Sequence, residues 1–178
     1  MRNIIKIHDK EFEVFIDEKA IYNAIINLSE KMNNDMAGKN PLFIIVLKGG
    51  FMFGSDLFKH LNIECELDFI SLSSYDGMTS TQKVKELFEF NIKIKGRTIV
   101  IIEDVIDTGI TMKYIIDKFN DEKAKEVKIA TLLFKPDSFN ENFKIDYIGF
   151  SIPNDFVVGY GLDYNGHGRN LKSIYKII

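Results

Sequence analysis

A single cysteine, Cys65, stands in the whole sequence, which excludes an internal disulfide and fits a reducing compartment. Prolines number three, and no repeat, linker or low-complexity stretch divides the chain. Long apolar runs are missing too. The longest, at 42–47, 99–102 and 132–134, fall far short of the roughly 18 residues of a membrane span. The start, Met1 to Asp9, reaches charged residues before any signal-peptide core could form, so a soluble, cytoplasmic protein is expected. Neither charge sign dominates: 23 basic residues face 26 acidic ones, for a net charge of -3. That leaves no electrostatic footprint for a polyanionic duplex, so neither nucleic acid nor membrane is an expected partner, and a phosphate ligand must be met by a local site. No GxxxxGK[ST] motif is present, and Gly159 to Tyr164 begins like a dinucleotide fingerprint but lacks its third glycine and a following helix. His8, His60 and His167 have no metal-ligand spacing.

What is there fits one globular domain, 1–178. With 46% hydrophobic and 28% charged residues over 178 positions, such a chain buries roughly 70% of its unfolded surface without metal or disulfide. Ala20, Ile21, Ala24, Ile25, Leu28 and Met32 recur at helical spacing between Asp17 and Met32, with Gly38 as a stop. The continuous apolar run 42–47, ending at Lys48-Gly49-Gly50, reads as a strand buried on both faces. A short helix is expected over 51–60 and a half-buried strand over 63–72. The polar stretch 73–82 (SSYDGMTSTQ) is then a flap, with 84–90 as hairpin partner. Further buried strands are read at 98–102, 127–134 and 147–150, a helix through Met112, Ile115, Ile116 and Phe119, and a last strand at 174–178. Alternation of strands and helices predicts an α/β fold with a mainly parallel central sheet flanked by helices. The loops at 48–50, 103–111, 135–137 and 153–169 should gather on the rim beyond the strands' carboxyl ends.

The most informative loop is Glu103-Asp104-Val105-Ile106-Asp107-Thr108-Gly109-Ile110-Thr111, between a buried strand and a helix. Backbone N–H groups at the helix start, a glycine and two hydroxyls make an anion pocket from Thr108 to Thr111. Three carboxylates beside it would repel a phosphate unless they held ribose hydroxyls or a magnesium ion, so the loop looks built for a sugar phosphate. The plainer alternative is a strand-to-helix turn capped by Asp107 or Thr108. Lys48 as a surface lysine, Lys135 as a strand-end lysine and Phe156 as a core aromatic are likewise open when each is taken alone.

The segment VIIEDVIDTGIT resembles the phosphoribosyl-pyrophosphate (PRPP) signature of type I phosphoribosyltransferases. Leu47-Lys48-Gly49-Gly50, the Ser74-Tyr75 pair, Leu133-Phe134-Lys135, and Asp155 to Tyr164 with Arg169 extend the likeness to the hypoxanthine-guanine phosphoribosyltransferase family in its short, bacterial-type form. The resemblance implies a type I phosphoribosyltransferase fold with a small hood from the N- and C-terminal segments and a flexible flap at about 73–82. It implies transfer of the phosphoribosyl group of PRPP to a 6-oxopurine, with pyrophosphate released and Mg2+ as cofactor, in a homodimer or homotetramer. By the same likeness, Glu103 and Asp104 would meet the ribose hydroxyls and magnesium. Asp107 would accept a proton near purine N7, and Asp107, Thr108, Gly109, Ile110 and Thr111 would cradle the 5′-phosphate. Lys48, Gly49 and Arg169 would bind pyrophosphate, the Lys48-Gly49 dipeptide often being cis in the family. Asp163 would hold a second magnesium. Lys135 would donate to O6, Phe156 would stack on the base, and the Val157 backbone would read its edge. Asn165-Gly166-His167-Gly168 departs from the family pattern in its glycine content.

These residue types suit the chemistry. Displacing pyrophosphate from C1′ builds positive charge on the ribose and negative charge on the leaving group, so carboxylates belong at the first and cations at the second. A lid excludes water from the same carbon. Lysine has donors only, and so prefers an oxo group at position 6 to an amino group. Two other readings remain at this point: a PRPP-sensing regulator without catalysis, which should lack Asp107 or Phe156 and carry a basic surface, and an enzyme acting on xanthine or a pyrimidine.

Overall fold

The computed structural model describes residues 4–75, 83–86 and 93–178, with 73–75 and 83–86 described as backbone only. Strands β1 (Ile4–Ile7) and β2 (Lys10–Ile16) precede helix α1 (Glu18–Met36), and β3 (Leu42–Leu47) leads into α2 (Phe51–Lys59). Strands β4 (Glu66–Tyr75), β5 (Lys83–Glu86) and β6 (Thr98–Ile106) follow, then α3 (Ile110–Asp121), β7 (Glu126–Phe134), β8 (Tyr147–Ser151), β9 (Val157–Val158) and β10 (Ile174–Ile177).

Six strands form the central sheet in the order β5-β4-β3-β6-β7-β8. Five of them are parallel, and β5 returns antiparallel along β4. The alternation of side chains along β3 explains why this strand reads as one apolar run. Phe43 and Ile45 face a cluster with Ile21, Ile25 and Met32 of α1 and Phe53 and Leu57 of α2. Leu42, Ile44 and Val46 face a second cluster with Met112, Ile115 and Phe119 of α3. A strand covered on both faces has no polar side to show, and each fully buried large side chain contributes about 1.5–3 kcal/mol.

Several boundaries differ from the sequence reading. Helix α1 runs one turn past Met32, because Met36, fully buried, extends its apolar stripe by four residues beyond the polar Asn33-Asn34-Asp35. Asp17 caps it, its Oδ1 accepting from Ala20 N at 2.7 Å, and Gly38 turns the chain at φ 72°. Strand β4 starts later than expected and continues through Ser73, Ser74 and Tyr75, which pair with Lys85, Val84 and Lys83 of β5. The first part of the expected flap is therefore strand, and 76–82 lie outside the described residues, as do 87–90 of the expected hairpin partner.

A second sheet, β1-β2-β10-β9, is antiparallel throughout and joins the two ends of the chain. The sequence reading assigns no strand to 4–16, since β1 is half exposed and carries no continuous apolar face. The two-residue β9 escapes it for lack of length.

Candidate active site

Strands β3, β6 and β7 are parallel neighbours, so the segments after them share one rim. Glu103 and Asp104 are not loop residues: β6 extends through them to Ile106, and Glu103 pairs in register with Thr131 of β7. The ladder pairs of Glu103 and of Val105, on either side of Asp104, thus hold both carboxylates on the rigid sheet. Each is about 8% exposed. The Asp104 amide donates to Glu103 Oε1 at 3.2 Å and the Val105 amide to Asp104 Oδ1 at 2.8 Å. Burial, reinforced by the neighbouring Asp104 charge, holds the Glu103 carboxyl well above the usual range. Burial also raises Asp104, against its hydrogen bonds and the field of Arg169. Two adjacent buried carboxylates of this kind call for a counter-charge or for hydroxyl donors.

Beyond β6 the chain turns through Asp107, Thr108 and Gly109 into α3. Gly109 is the N-cap at φ 90° with no side chain of its own to cap the helix, while Thr108 Oγ1 accepts from the Ile110 amide at 3.5 Å. A Cβ on Gly109 would fall 2.7 Å from Phe139 and 2.9 Å from Glu141. Between Glu103 and Met112 this turn encloses a cavity of about 120 Å³ that includes Asp107, Thr108, Gly109, Ile110 and Thr111. The N–H groups of the first turn of α3 have no intrahelical partners, and among the described residues only the Ile110 amide has a long bond to Thr108 Oγ1, so the turn suits an anion there.

Lys135 follows β7, its amide donating to Ile106 O at 2.9 Å. That bond aims the side chain across to the β6 loop, where Nζ lies 3.2 Å from Asp107 Oδ2. The lysine is largely buried, at 12% side-chain exposure, and Asp107 is half open at 47%. Val157 lies in β9, paired with Lys176 of β10. Phe156, just before it, is 46% exposed, with Phe12 of β2 and Tyr164 at ring-centroid distances of 6.4 and 5.8 Å. An aromatic held on two rings with its other surface open is a stacking platform.

On the opposite side of the carboxylates lies the turn after β3. The Leu47–Lys48 peptide is cis, one bond earlier than the Lys48-Gly49 position expected. Gly49 abuts the carboxylates so closely that a Cβ there would fall 1.6 Å from Asp104 Oδ2. Gly161 abuts Gly49 in turn, its own would-be Cβ 2.2 Å from Gly49 O. Arg169 Nη1 donates to Gly161 O at 2.6 Å, and Nη2 sits 2.5 Å from Asp163 Oδ1. Asp163 also accepts from Gly166 N at 2.6 Å. The glycine-rich Asn165–Gly168 segment has a local reason: Gly168, at φ 97°, leaves only 2.9 Å between a would-be Cβ and Ile7, and His167 stacks edge-on at 4.5 Å from His8. Its tie to the hood is completed by Tyr164 Oη donating to Asp9 at 2.8 Å.

The structure therefore gathers Gly49, Asp104, Gly161, Asp163 and Arg169 on one side of β6, and Asp107 with Lys135 at its end. Ser74 and Tyr75 lie at the end of β4. Sequence reasoning missed Tyr160, Tyr164, Asp9 and Asp56, whose hydroxyl–carboxylate bonds join distant segments. Only a tyrosine between two glycines hinted at the first.

The family model described as "Phosphoribosyl transferase domain" matches residues 15–165. The hypoxanthine-guanine phosphoribosyltransferase of Streptococcus pyogenes serotype M3 is 44% identical over 163 residues, 91% of each chain. The chain belongs to the hypoxanthine-guanine phosphoribosyltransferase family. Another relative of this phosphoribosyltransferase chain, the "Bifunctional protein TilS/HprT" of Listeria monocytogenes, is 41% identical over 94% of the chain, which spans about a quarter (26%) of that longer protein. Among solved structures, a hypoxanthine-guanine phosphoribosyltransferase of Bacillus anthracis with HEPES in its active site superimposes with a TM-score of 0.88 at 37% identity, covering 93% of this chain and 98% of that one. The hypoxanthine phosphoribosyltransferase of Trypanosoma cruzi, in complex with the product IMP, gives a TM-score of 0.87 at 34% identity over 98% and 97%. The type I phosphoribosyltransferase fold expected from the sequence is thus the fold observed.

Proposed function

We propose that this phosphoribosyltransferase transfers the 5-phosphoribosyl group of PRPP to a 6-oxopurine, hypoxanthine or guanine, as a purine salvage enzyme. The observation that carries the substrate class is the Lys135–Asp107 pair, 3.2 Å apart. It sets a donor-only group beside an acceptor-only group. On a free 6-oxopurine, O6 accepts and a protonated N7 donates on the same edge, so the pair matches two neighbouring atoms of the base. Phe156 stacks on the ring, and the Val157 backbone reads the edge that distinguishes purines at position 2.

In the reaction the bond from purine N9 to C1′ forms as the bond from C1′ to the pyrophosphate oxygen breaks. Asp107 takes the N7 proton. Glu103 and Asp104 hold the ribose hydroxyls and face the positive charge that grows on the sugar. The N-terminal turn of α3 with Thr108 and Thr111 binds the 5′-phosphate, while Lys48, Gly49 and Arg169 take the pyrophosphate. Ser74 and Tyr75 belong to the flap in this reading.

Magnesium fits the donor set, which is all carboxylate oxygen at Glu103, Asp104 and Asp163. Among the described residues no three His, Cys, Asp or Glu side chains are placed to hold a metal ion by themselves. When bound, magnesium would neutralise the leaving pyrophosphate. A single phosphoribosyltransferase domain over 1–178 is part of the proposal, supported by the family model matching 15–165. A cytoplasmic location, supported by the lone Cys65, and a homodimer or homotetramer, supported by the family likeness, belong to the same proposal. No helix among the described residues is long and apolar enough to cross a membrane.

The test is an assay with PRPP, magnesium and each of hypoxanthine, guanine, xanthine, adenine and uracil, following nucleotide and pyrophosphate together. Turnover with the 6-oxopurines that stops in excess chelator is expected. Preference for adenine or uracil, or full turnover without a divalent ion, would overturn the assignment.

A further inference from the structure

Tyr160 occupies a position that its backbone conformation discourages. The Gly159–Leu162 turn is closed by reciprocal bonds, Gly159 N to Leu162 O at 3.0 Å and Leu162 N to Gly159 O at 3.1 Å. Its two central residues, Tyr160 and Gly161, have φ 50° and 100°. Such a turn favours asparagine or glycine at its first corner, and a bulky residue at positive φ is uncommon. The side chain gives the reason for tyrosine. It is nearly buried, at 6% exposure, and its hydroxyl donates to Asp56 Oδ2 at 2.5 Å. Burial, and then Asp56, push the phenol upward, so it stays a donor at any ordinary pH.

Asp56 lies in α2, whose first turn begins directly after the Lys48-Gly49-Gly50 loop. Tyr160 begins the segment that runs through Gly161 to Asp163 and Arg169. The two segments meet at Gly161, where no side chain fits against Gly49 O, and the same Gly161 carbonyl accepts from Arg169. Tyr160 and Gly161 also donate to Leu171 O and Arg169 O, both at 2.9 Å. We propose that Tyr160 and Asp56 are positioning residues for pyrophosphate recognition: their bond locks the Asp163–Arg169 segment onto the Lys48–Gly49 loop, so that the two halves of the pyrophosphate site are held at a fixed spacing. This rests on the pyrophosphate role given above to Lys48, Gly49 and Arg169. Neither Tyr160 nor Asp56 touches substrate in this arrangement.

The experiment compares Tyr160→Phe, Asp56→Ala, Asp56→Asn, Lys59→Gln and Arg169→Gln, reading KM for PRPP and KM for hypoxanthine separately, with Tm for each variant. Tyr160→Phe keeps the buried ring and loses one hydrogen bond, so KM for PRPP should rise about three- to tenfold while KM for the base stays within about twofold. Asp56→Ala should do the same. Asp56→Asn keeps a carbonyl acceptor for the phenol and should return KM for PRPP toward the wild-type value. Lys59 pairs with Asp56 Oδ1 at 2.6 Å without touching Tyr160, so Lys59→Gln should leave both KM values unchanged. A role confined to stability would lower Tm and the active fraction without separating the two KM values, and that result overturns the proposal. So does an Asp56→Asn variant as impaired as Asp56→Ala, or a Lys59→Gln variant that mimics Tyr160→Phe. If Arg169→Gln raises KM for PRPP and Tyr160→Phe does not, only the positioning role falls. If Arg169→Gln leaves that KM where it was, the pyrophosphate assignment falls, and the positioning role with it.

Discussion

Replacing Lys135 by methionine should separate base recognition from every other part of the reaction. Methionine keeps much of the stem and its packing, and deletes the ammonium that lies 3.2 Å from Asp107 Oδ2. The fold should tolerate this, because Asp107 is 47% exposed and water can replace its partner. After discounting for that exposure, the lost ion pair costs about 0.2–1 kcal/mol of stability. Base recognition should suffer more. The lysine is 12% exposed, so O6 of the bound base would lose a charge-assisted hydrogen bond in a place that water reaches poorly. Such a bond is worth about 1.5–3 kcal/mol, which corresponds to a fall of roughly ten- to a hundredfold in kcat/KM for hypoxanthine and guanine. Adenine offers no acceptor at position 6 and has little to lose. The assay measures kcat/KM for the three bases at saturating PRPP, and KM for PRPP at a fixed oxopurine concentration. Selectivity between oxopurine and adenine should collapse toward unity while KM for PRPP barely changes. A Lys135→Met enzyme that still prefers hypoxanthine over adenine would refute the reasoning and move the discriminating group to the backbone around Val157.

Asp107→Asn should lower kcat by roughly 10²- to 10⁴-fold, as loss of a general base does, and leave PRPP binding by calorimetry nearly intact; wild-type turnover would reduce Asp107 to a loop carboxylate. Gly49→Ala places a methyl where Asp104 Oδ2 now lies, so KM for PRPP should rise at least tenfold, with a stability loss of about 1–3 kcal/mol; unchanged kinetics would mean that the contact is not maintained in solution. The raised Glu103–Asp104 pair binds more protons folded than unfolded between the ordinary carboxylate range and its folded value. Ligand-free stability should therefore fall as pH climbs through that window and level off above it. Glu103→Gln should flatten the dependence of Tm on pH and raise Tm near neutrality. An unaltered slope would show that the pair carries no such burden.

The central sheet was legible because doubly covered strands such as 42–47 and 98–102 leave a continuous apolar run, and because α1 and α3 place their buried residues at helical spacing. The carboxylate loop was legible for a different reason. Three acids beside an anion pocket would repel a phosphate unless they held something else, so the segment stood out against ordinary turns. Its strand character did not, since β6 continues through Glu103 and Asp104 by the pairing of Glu103 and Val105 with β7, which charge and hydropathy do not report. The antiparallel sheet at the chain ends was equally hidden: β1 exposes half of its side chains, and β2 finds its partner β10 at the far end of the sequence. Lys135 and Asp107 illustrate the remaining limit. Each has an ordinary local context, and only the parallel register of β6 and β7 brings them within 3.2 Å.

The union of β2 with β10 sets an order of events during synthesis. The parallel strands from β3 to β8 and their helices contain the carboxylates, the α3 turn and Lys135, all of which emerge from the ribosome before β10 does. Phe156, by contrast, owes its placement to Phe12 of β2 and to the bond from Ile177 N to Phe156 O at 3.1 Å. A nascent chain should first acquire a half competent for the 5′-phosphate, and gain a base-competent one only when β10 is free to anneal to β2, a closure that carries a long-range entropic cost. Annealing of β10 to β2 is in this sense the step that converts a sugar-phosphate receptor into an enzyme able to choose its base.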